Sequence, residues 1–268
     1  MRFSSKIFQC IAVALVFFVV DASAAQKKFK VTGFDKPFLV SNRNQPGGFT
    51  MDRDPVDAIN KKKVYRFEIV PRKCVSDDCE QQSARASVQQ VPEGTLQPKE
   101  AWYGWDMYLP TEFPFSTAQT RGHEIFTEFK DQHQCQLVAL ITNPNRNDDF
   151  LSWSMEKPTG QKMTQFGGDC EVVFERPVIR IREVLGGWHR YELFARWSKK
   201  NDGKFQLYLD GTEVVNYNGI TCWSCDKMNY FLFGNYLCCT PNTQKIARST
   251  VFYRFVSRAR TRDGLVWE

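Results

Sequence analysis

Histidine is nearly missing from this chain: His123, His133 and His189 are the only three in 268 residues. No HExxH motif is present, which excludes a zincin helix carrying two metal ligands one turn apart. No GxSxG is present either, so the nucleophile elbow of an α/β-hydrolase is absent. Walker loops and dinucleotide fingerprints are also absent, leaving no phosphate cradle. No amphipathic stretch of ten or more residues reads as a helix. There are no internal repeats and no low-complexity linker, so a single domain is expected. Charge of one sign is scarce: 36 Lys and Arg stand against 30 Asp and Glu, a net +6 without a basic run. That balance suits an anionic partner, with no nucleic acid expected.

Long apolar runs are confined to the N-terminus. Arg2 and Lys6 precede the unbroken run Ile11–Val20, and Ala22-Ser23-Ala24 is a small-residue cleavage site. This is the pattern of a secretory signal peptide over residues 1–24, with a mature chain from 25 to 268. The run is too short for a span of about 20 residues, and no later segment is suited to crossing a bilayer. The expected location is therefore extracellular, with no membrane partner.

Nine cysteines are present, and Cys10 leaves with the signal. The remaining eight are Cys74, Cys79, Cys135, Cys170, Cys222, Cys225, Cys238 and Cys239. An even number in a secreted chain predicts disulfides, with the pairing left open. Cys74 with Cys79 would close a small loop. Cys222-x-x-Cys225 followed by Cys238-Cys239 also has the spacing of a four-thiolate zinc site, which secretion disfavours.

What is abundant is aromatic: 22 Phe, 9 Tyr and 7 Trp make up 14% of the chain. Such residues fit pleated surfaces. Tyr65, Phe67 and Ile69 alternate with Arg66 and Glu68. Ala84, Ala86 and Val88 alternate with Arg85, Ser87 and Gln89. Tyr103, Trp105, Met107 and Leu109 alternate with Trp102, Gly104, Asp106 and Tyr108. Period-two alternation predicts strands with one face in a core. Further strands are expected over 124–130, 136–142, 188–197, 204–210, 230–236 and 251–256. Asn201-Asp202-Gly203 and Asp210-Gly211 supply tight turns. The expected fold is an all-β sandwich or jelly roll, stapled by disulfides.

Paired carboxylates on such a sheet suggest a glycoside hydrolase, and Glu124 and Glu128 are the candidates. Four residues of extended strand separate them by about 13 Å. A retaining enzyme needs about 5–5.5 Å. The middle acidic residue of laminarinase-type sites is Phe126 here.

Three segments together resemble the secreted polysaccharide lyases of the heparin-lyase-I, glucuronan-lyase and alginate-lyase type. The first is the aromatic strand Tyr103–Leu109 ending in Pro110. The second is Trp188-His189-Arg190-Tyr191, then Arg196-Trp197-Ser198 and the hairpin Gly203–Gly211. The third, Tyr230-Phe-Leu-Phe-Gly-Asn-Tyr236, is similar to the family's Tyr-x-Lys-x-Gly-x-Tyr strand. With the Arg85 region the resemblance spans roughly residues 64–257. It implies a concanavalin-like jelly roll whose concave sheet binds an acidic polysaccharide, and cleavage of a uronate linkage by β-elimination. A silent carbohydrate-binding jelly roll is the alternative.

By the same resemblance Tyr236 is the acid/base and Arg85 the carboxylate neutraliser, with Arg66 a second candidate. His133 and Gln132, in Asp131-Gln132-His133, match the family's Gln-x-His, and His123 competes as base. Tyr230, on the Tyr236 face, is expected to contact substrate. Trp102 and Tyr108 are expected sugar platforms. Three positions depart from the pattern: Leu232 stands for Lys, Asp131 for Gln and Ser87 for Glu. The expected protein is a monomer that needs no organic cofactor and carries no catalytic metal. A structural calcium is conceivable at the acidic pairs Asp77-Asp78 or Asp148-Asp149.

Overall fold

The computed structural model describes residues 28–267, apart from 42–43, 58–61, 71–72, 76, 81–82, 115–122, 134, 143–148, 160–169 and 239–246. The expected signal peptide lies outside the described residues. The chain opens with strands β1 (Lys28–Phe29), β2 (Phe38–Val40), β3 (Phe49–Arg53) and β4 (Lys63–Ile69). A four-residue helix, α1 (Asp77–Glu80), precedes β5 (Ala84–Gln90), β6 (Glu100–Tyr108) and β7 (His123–Asp131). Then come β8 (Gln136–Thr142), β9 (Phe150–Pro158), β10 (Cys170–Arg180) and β11 (Trp188–Arg196). The last four are β12 (Gly203–Leu209), β13 (Thr212–Gly219), β14 (Asn229–Cys238) and β15 (Ser249–Ala259).

These strands form two antiparallel sheets packed as a jelly-roll sandwich. One has eight strands in the order β1-β2-β5-β14-β7-β8-β9-β10, and the other seven in the order β13-β12-β11-β6-β15-β4-β3. The alternation of the sequence decides what lies between them. Tyr103, Trp105 and Met107 of β6 meet Phe231 and Phe233 of β14 in one apolar cluster. Phe129 lies 4.8 Å from both Tyr103 and Phe231, ring to ring, and Trp105 stacks on Tyr191 at 5.6 Å. Burying one such Phe ring contributes about 1.5–3 kcal/mol. Asp210 and Gly211, with φ of 49° and 83°, form the β12–β13 turn their types predict.

Disulfides join Cys74 to Cys79, Cys135 to Cys170 and Cys222 to Cys225. Cys238 is also disulfide-bonded. The four-thiolate zinc reading is therefore overturned, because Cys222, Cys225 and Cys238 are bonded to sulfur. Cys135, Glu156 and Cys170 come together as a metal cluster would, but the two cysteines are bonded to each other. Among the described residues no helix is long and apolar enough to cross a membrane.

Bulges interrupt the central strands. On β14 the pairing with β7 shifts between Phe233 and Tyr236, and on β7 the pairing with β8 shifts between Ile125 and Thr127. Tyr253 of the opposite sheet lies beneath both. Its buried hydroxyl donates one shared proton to the Phe126 carbonyl at 2.7 Å and the Gly234 carbonyl at 3.1 Å. Tyr253→Phe removes the donor and leaves both carbonyls short of a partner. The expected cost is about 1–3 kcal/mol, read from urea unfolding; an unchanged midpoint would contradict this role.

Candidate active site

The outer face of the eight-stranded sheet carries a compact cluster around Tyr236. On β14, Phe231, Phe233 and Leu237 enter the main core, while Tyr236 packs outward with Ile125, Ala139 and Ile141. Arg85 of β5 is the register partner of Tyr236. Its guanidinium lies 3.9 Å from the centre of the Tyr236 ring. On its other side the guanidinium is held by Asp78, with Nε and Nη2 donating to the two carboxylate oxygens at 3.2 Å each. Asp78 sits in α1, inside the short loop closed by Cys74–Cys79.

Lys130 of β7 approaches from the other flank, its Nζ 5.8 Å from the Tyr236 ring centre. The same ammonium is 3.5 Å from Glu128 Oε2, an ion-pair contact without a hydrogen bond. Tyr236 is 7% exposed, and its hydroxyl hydrogen-bonds to no described residue. Burial by itself lowers the pKa of Arg85 and of Lys130. For Arg85, Tyr236, Asp78 and Glu128 reverse that and raise it. For Lys130, Glu128 with Tyr230 and Tyr236 does the same. Both groups therefore remain cationic at neutral pH.

The structure brings some of the expected residues together and separates others. Arg85 and Tyr236 meet, and Tyr230 lies on the same strand, opposite Lys130. His133 and Gln132 lie in the turn after β7. Asp131 pairs there with Asn229, about 20 Å along β14 from Tyr236. His133 donates its backbone N–H to Asp131 at 2.8 Å, and its Nε2 lies 3.2 Å from Gln132 Nε2. The Asp131 carboxylate also accepts from Ser224, so it is turned to that loop. His123 opens β7 with its backbone opposite Cys238, two residues from Tyr236. Of the three histidines it alone has a register position at this end of β14.

Arg66, Trp102 and Tyr108 belong to the other sheet. Arg66 of β4 pairs with Glu68 at 2.7 Å. Trp102 lies 5.9 Å from Tyr208, and Tyr108 5.6 Å from Trp188. Alternation puts Trp102 and Tyr108 on one face of β6. That face is the outside of the seven-stranded sheet, because β4 and β6 pair with β15 and not with β14.

Glu128, Lys130 and Asp78 complete the cluster, and each carries only a partial signal in the amino-acid pattern. Glu128 and Lys130 alternate as outward residues. Asp78 reaches Arg85 through a loop that no periodicity encodes. The β7 bulge also settles the two glutamates: Ile125 faces outward with Tyr236, so Glu124 next to it points inward. Glu124 and Glu128 therefore lie on opposite faces and do not form a glycosidase pair. As a calcium site the Asp77-Asp78 pair does not fit, since both Asp78 oxygens hold Arg85. Asp148 lies outside the described residues.

Removing the Asp78 charge leaves Arg85 almost fully buried without its bidentate partner. Asp78→Asn is expected to lower stability by about 2–4 kcal/mol, measured by chemical denaturation. A loss below the error of that measurement would show that Arg85 is held otherwise.

The polysaccharide lyase family profile matches residues 41–255. No curated protein matches the chain. Among solved structures, the chain is similar to an endo-β-1,4-glucuronan lyase from the fungus Trichoderma reesei, with TM-score 0.57 and 16% identity over 89% of this chain and 95% of that one. It is also similar to the alginate lyase from Klebsiella pneumoniae, with TM-score 0.50 and 11% identity over 82% and 86%. The structural likenesses establish the shared jelly-roll fold; the profile match covers most of the chain. The chain belongs to the polysaccharide lyase family.

Proposed function

We propose that this protein is a secreted lyase that cleaves a uronate-containing polysaccharide by β-elimination at the Tyr236 cluster. The observation that carries this reading is a tyrosine hydroxyl without a described partner, on a ring flanked by two cations. In β-elimination the C5 proton leaves, its electron pair forms the C4–C5 double bond, and the C4–oxygen bond breaks. The departing oxygen then takes up a proton. Arg85 and Lys130 neutralise the uronate carboxylate and so make the C5 proton acidic. Tyr236 supplies the proton to the leaving oxygen. His123 is the histidine whose register position falls at this end of the strand, and it is assigned as the base.

Lys130 also bears on the substitution at Leu232. Leu232 pairs with Glu128, and Lys130 is two residues further along the same neighbouring strand. The positive group that the family carries on β14 is supplied here from β7.

The reading is tested by incubating the protein separately with glucuronan, alginate, heparan sulfate and pectate. Ultraviolet absorbance of the unsaturated uronate is followed. A rise on one polymer, lost in His123→Ala, supports the mechanism and names the substrate class. No rise on any polymer, with retention on an immobilised one, would leave a binding protein without the chemistry.

A further inference from the structure

Two hollows bounded by described residues lie away from Tyr236. They lie on the outer face of the seven-stranded sheet, adjoin each other, and share Arg190 and Arg254. The one between β3, β4, β11 and β15 has a volume of about 530 Å³, within the usual range of ligand pockets. We infer that this hollow is a second, non-catalytic site that binds a carboxylate-bearing sugar unit of an acidic polysaccharide.

The charges at this hollow are unequally committed. Asp54 is the one carboxylate among its described lining residues, and its oxygens are already occupied. Oδ1 accepts from Trp188 Nε1 at 2.9 Å and from the Val56 N–H at 2.9 Å, and Oδ2 accepts from Arg254 Nη1 at 2.9 Å. Arg254 in turn places Nε on Asp106 at 3.0 Å. Arg190 uses only Nε, on Asp106 at 3.2 Å. Its side chain is 40% exposed, and its guanidinium lies 3.8 Å from the Trp267 ring centre. Trp267 is itself backed against Gly104, where a Cβ would come within 2.7 Å of the indole. Arg190 is thus pinned flat with two Nη groups that bond to no described residue. Lys63, exposed on β4, has no carboxylate partner among the described residues. The free Nη groups of Arg190 and the ammonium of Lys63, on a partly apolar wall, fit a carboxylate attached to a pyranose ring.

The backbone points to the same place. Phe255 has φ of 56°, a conformation that a bulky residue adopts only when its surroundings force it. It lies where the β15–β6 pairing shifts between Arg254 and Ser257. As a result Arg254 and Phe255, consecutive in sequence, both line the hollow. On a regular strand they would face opposite sides. A bulge that turns an extra side chain into a cavity is a recurring device at binding sites.

That the ligand is a uronate rests on the function proposed above; the site itself does not. The test uses the full protein in a Tyr236→Phe background, so that polymer survives. Retention is measured in native gels containing polyglucuronate, or the same polymer with its carboxyls reduced. Lys63→Ala removes one free cation. Phe255→Gly removes the ring at a φ that glycine adopts freely, so its fold is retained. Each is expected to weaken retention at least threefold, with no retention by the reduced polymer. Hydrogen exchange reads the faces separately, with polymer expected to protect amides around 63–65 and 254–256. In the otherwise wild-type chain, both variants should leave turnover of a short oligouronate within twofold. Unchanged retention in both variants, or no protection at these amides, overturns the second site whatever the lyase assay shows. Retention lost in the variants of a protein that shows no lyase activity upholds this site and overturns the proposed function instead.

Discussion

Tyr236→Phe is expected to reduce turnover of the uronate polymer by about a hundredfold to ten-thousandfold, the usual weight of one general acid. The ring stays, so the 3.9 Å contact with Arg85 and the packing on Ile125 and Ile141 remain. The only atom removed is a hydroxyl that bonds to no described residue. Stability should therefore change by less than about 0.5 kcal/mol, and affinity for immobilised polymer should hold. Measuring turnover, unfolding and retention on one preparation separates these effects. Activity within tenfold of the wild type would remove Tyr236 from the chemistry.

Gly234→Ala is the second large effect, and it acts through the backbone. Gly234 has φ of 146°, a region costly for any residue with a Cβ. A Cβ there would lie 2.5 Å from the Ala86 carbonyl oxygen and 2.6 Å from the Ser87 Cα. Both are main-chain atoms of β5, so relief requires moving the strand that carries Arg85. The expected loss is about 2–4 kcal/mol of stability. Turnover should fall about a hundredfold, as a displacement near 1 Å of a reacting group implies. Thermal unfolding and turnover measured below the new midpoint check the two parts. A folded variant with normal activity would show that the β14 bulge does not position Tyr236.

How much of this could be read from the sequence varied with the kind of information each element carries. β6, β5 and β12 were legible because alternation alone tells which residues enter the core. The expected strand over 136–142 coincides with β8. β9 was missed although Leu151, Trp153 and Met155 alternate with two serines. β10 gave a weaker signal, since it is a largely exposed edge strand containing Pro177, which only an edge tolerates. The position of Arg85 beside Tyr236 was anticipated through family resemblance, not through periodicity. His133 lies in the turn after β7, and sequence does not tell how far β7 runs past its neighbour before turning. The faces of Glu124 and Glu128 depended on a one-residue bulge, which reverses parity without leaving a mark in composition. Trp102 and Tyr108 show the remaining gap: alternation names a face but not the sheet to which it belongs.

The Cys74–Cys79 bridge gives the active face a history within the life of the molecule. The apolar core between the two sheets contains neither cysteine, so the sandwich is able to assemble before that bridge closes. Until it does, the residues around Asp78 keep their conformational freedom, at about 1–2 kcal/mol per residue to order. Arg85 then has no fixed counterion to set its height above the Tyr236 ring. A chain in which only this bridge is open would be folded with the Arg85–Tyr236 pair unsupported. Closing the bridge would then complete the site last.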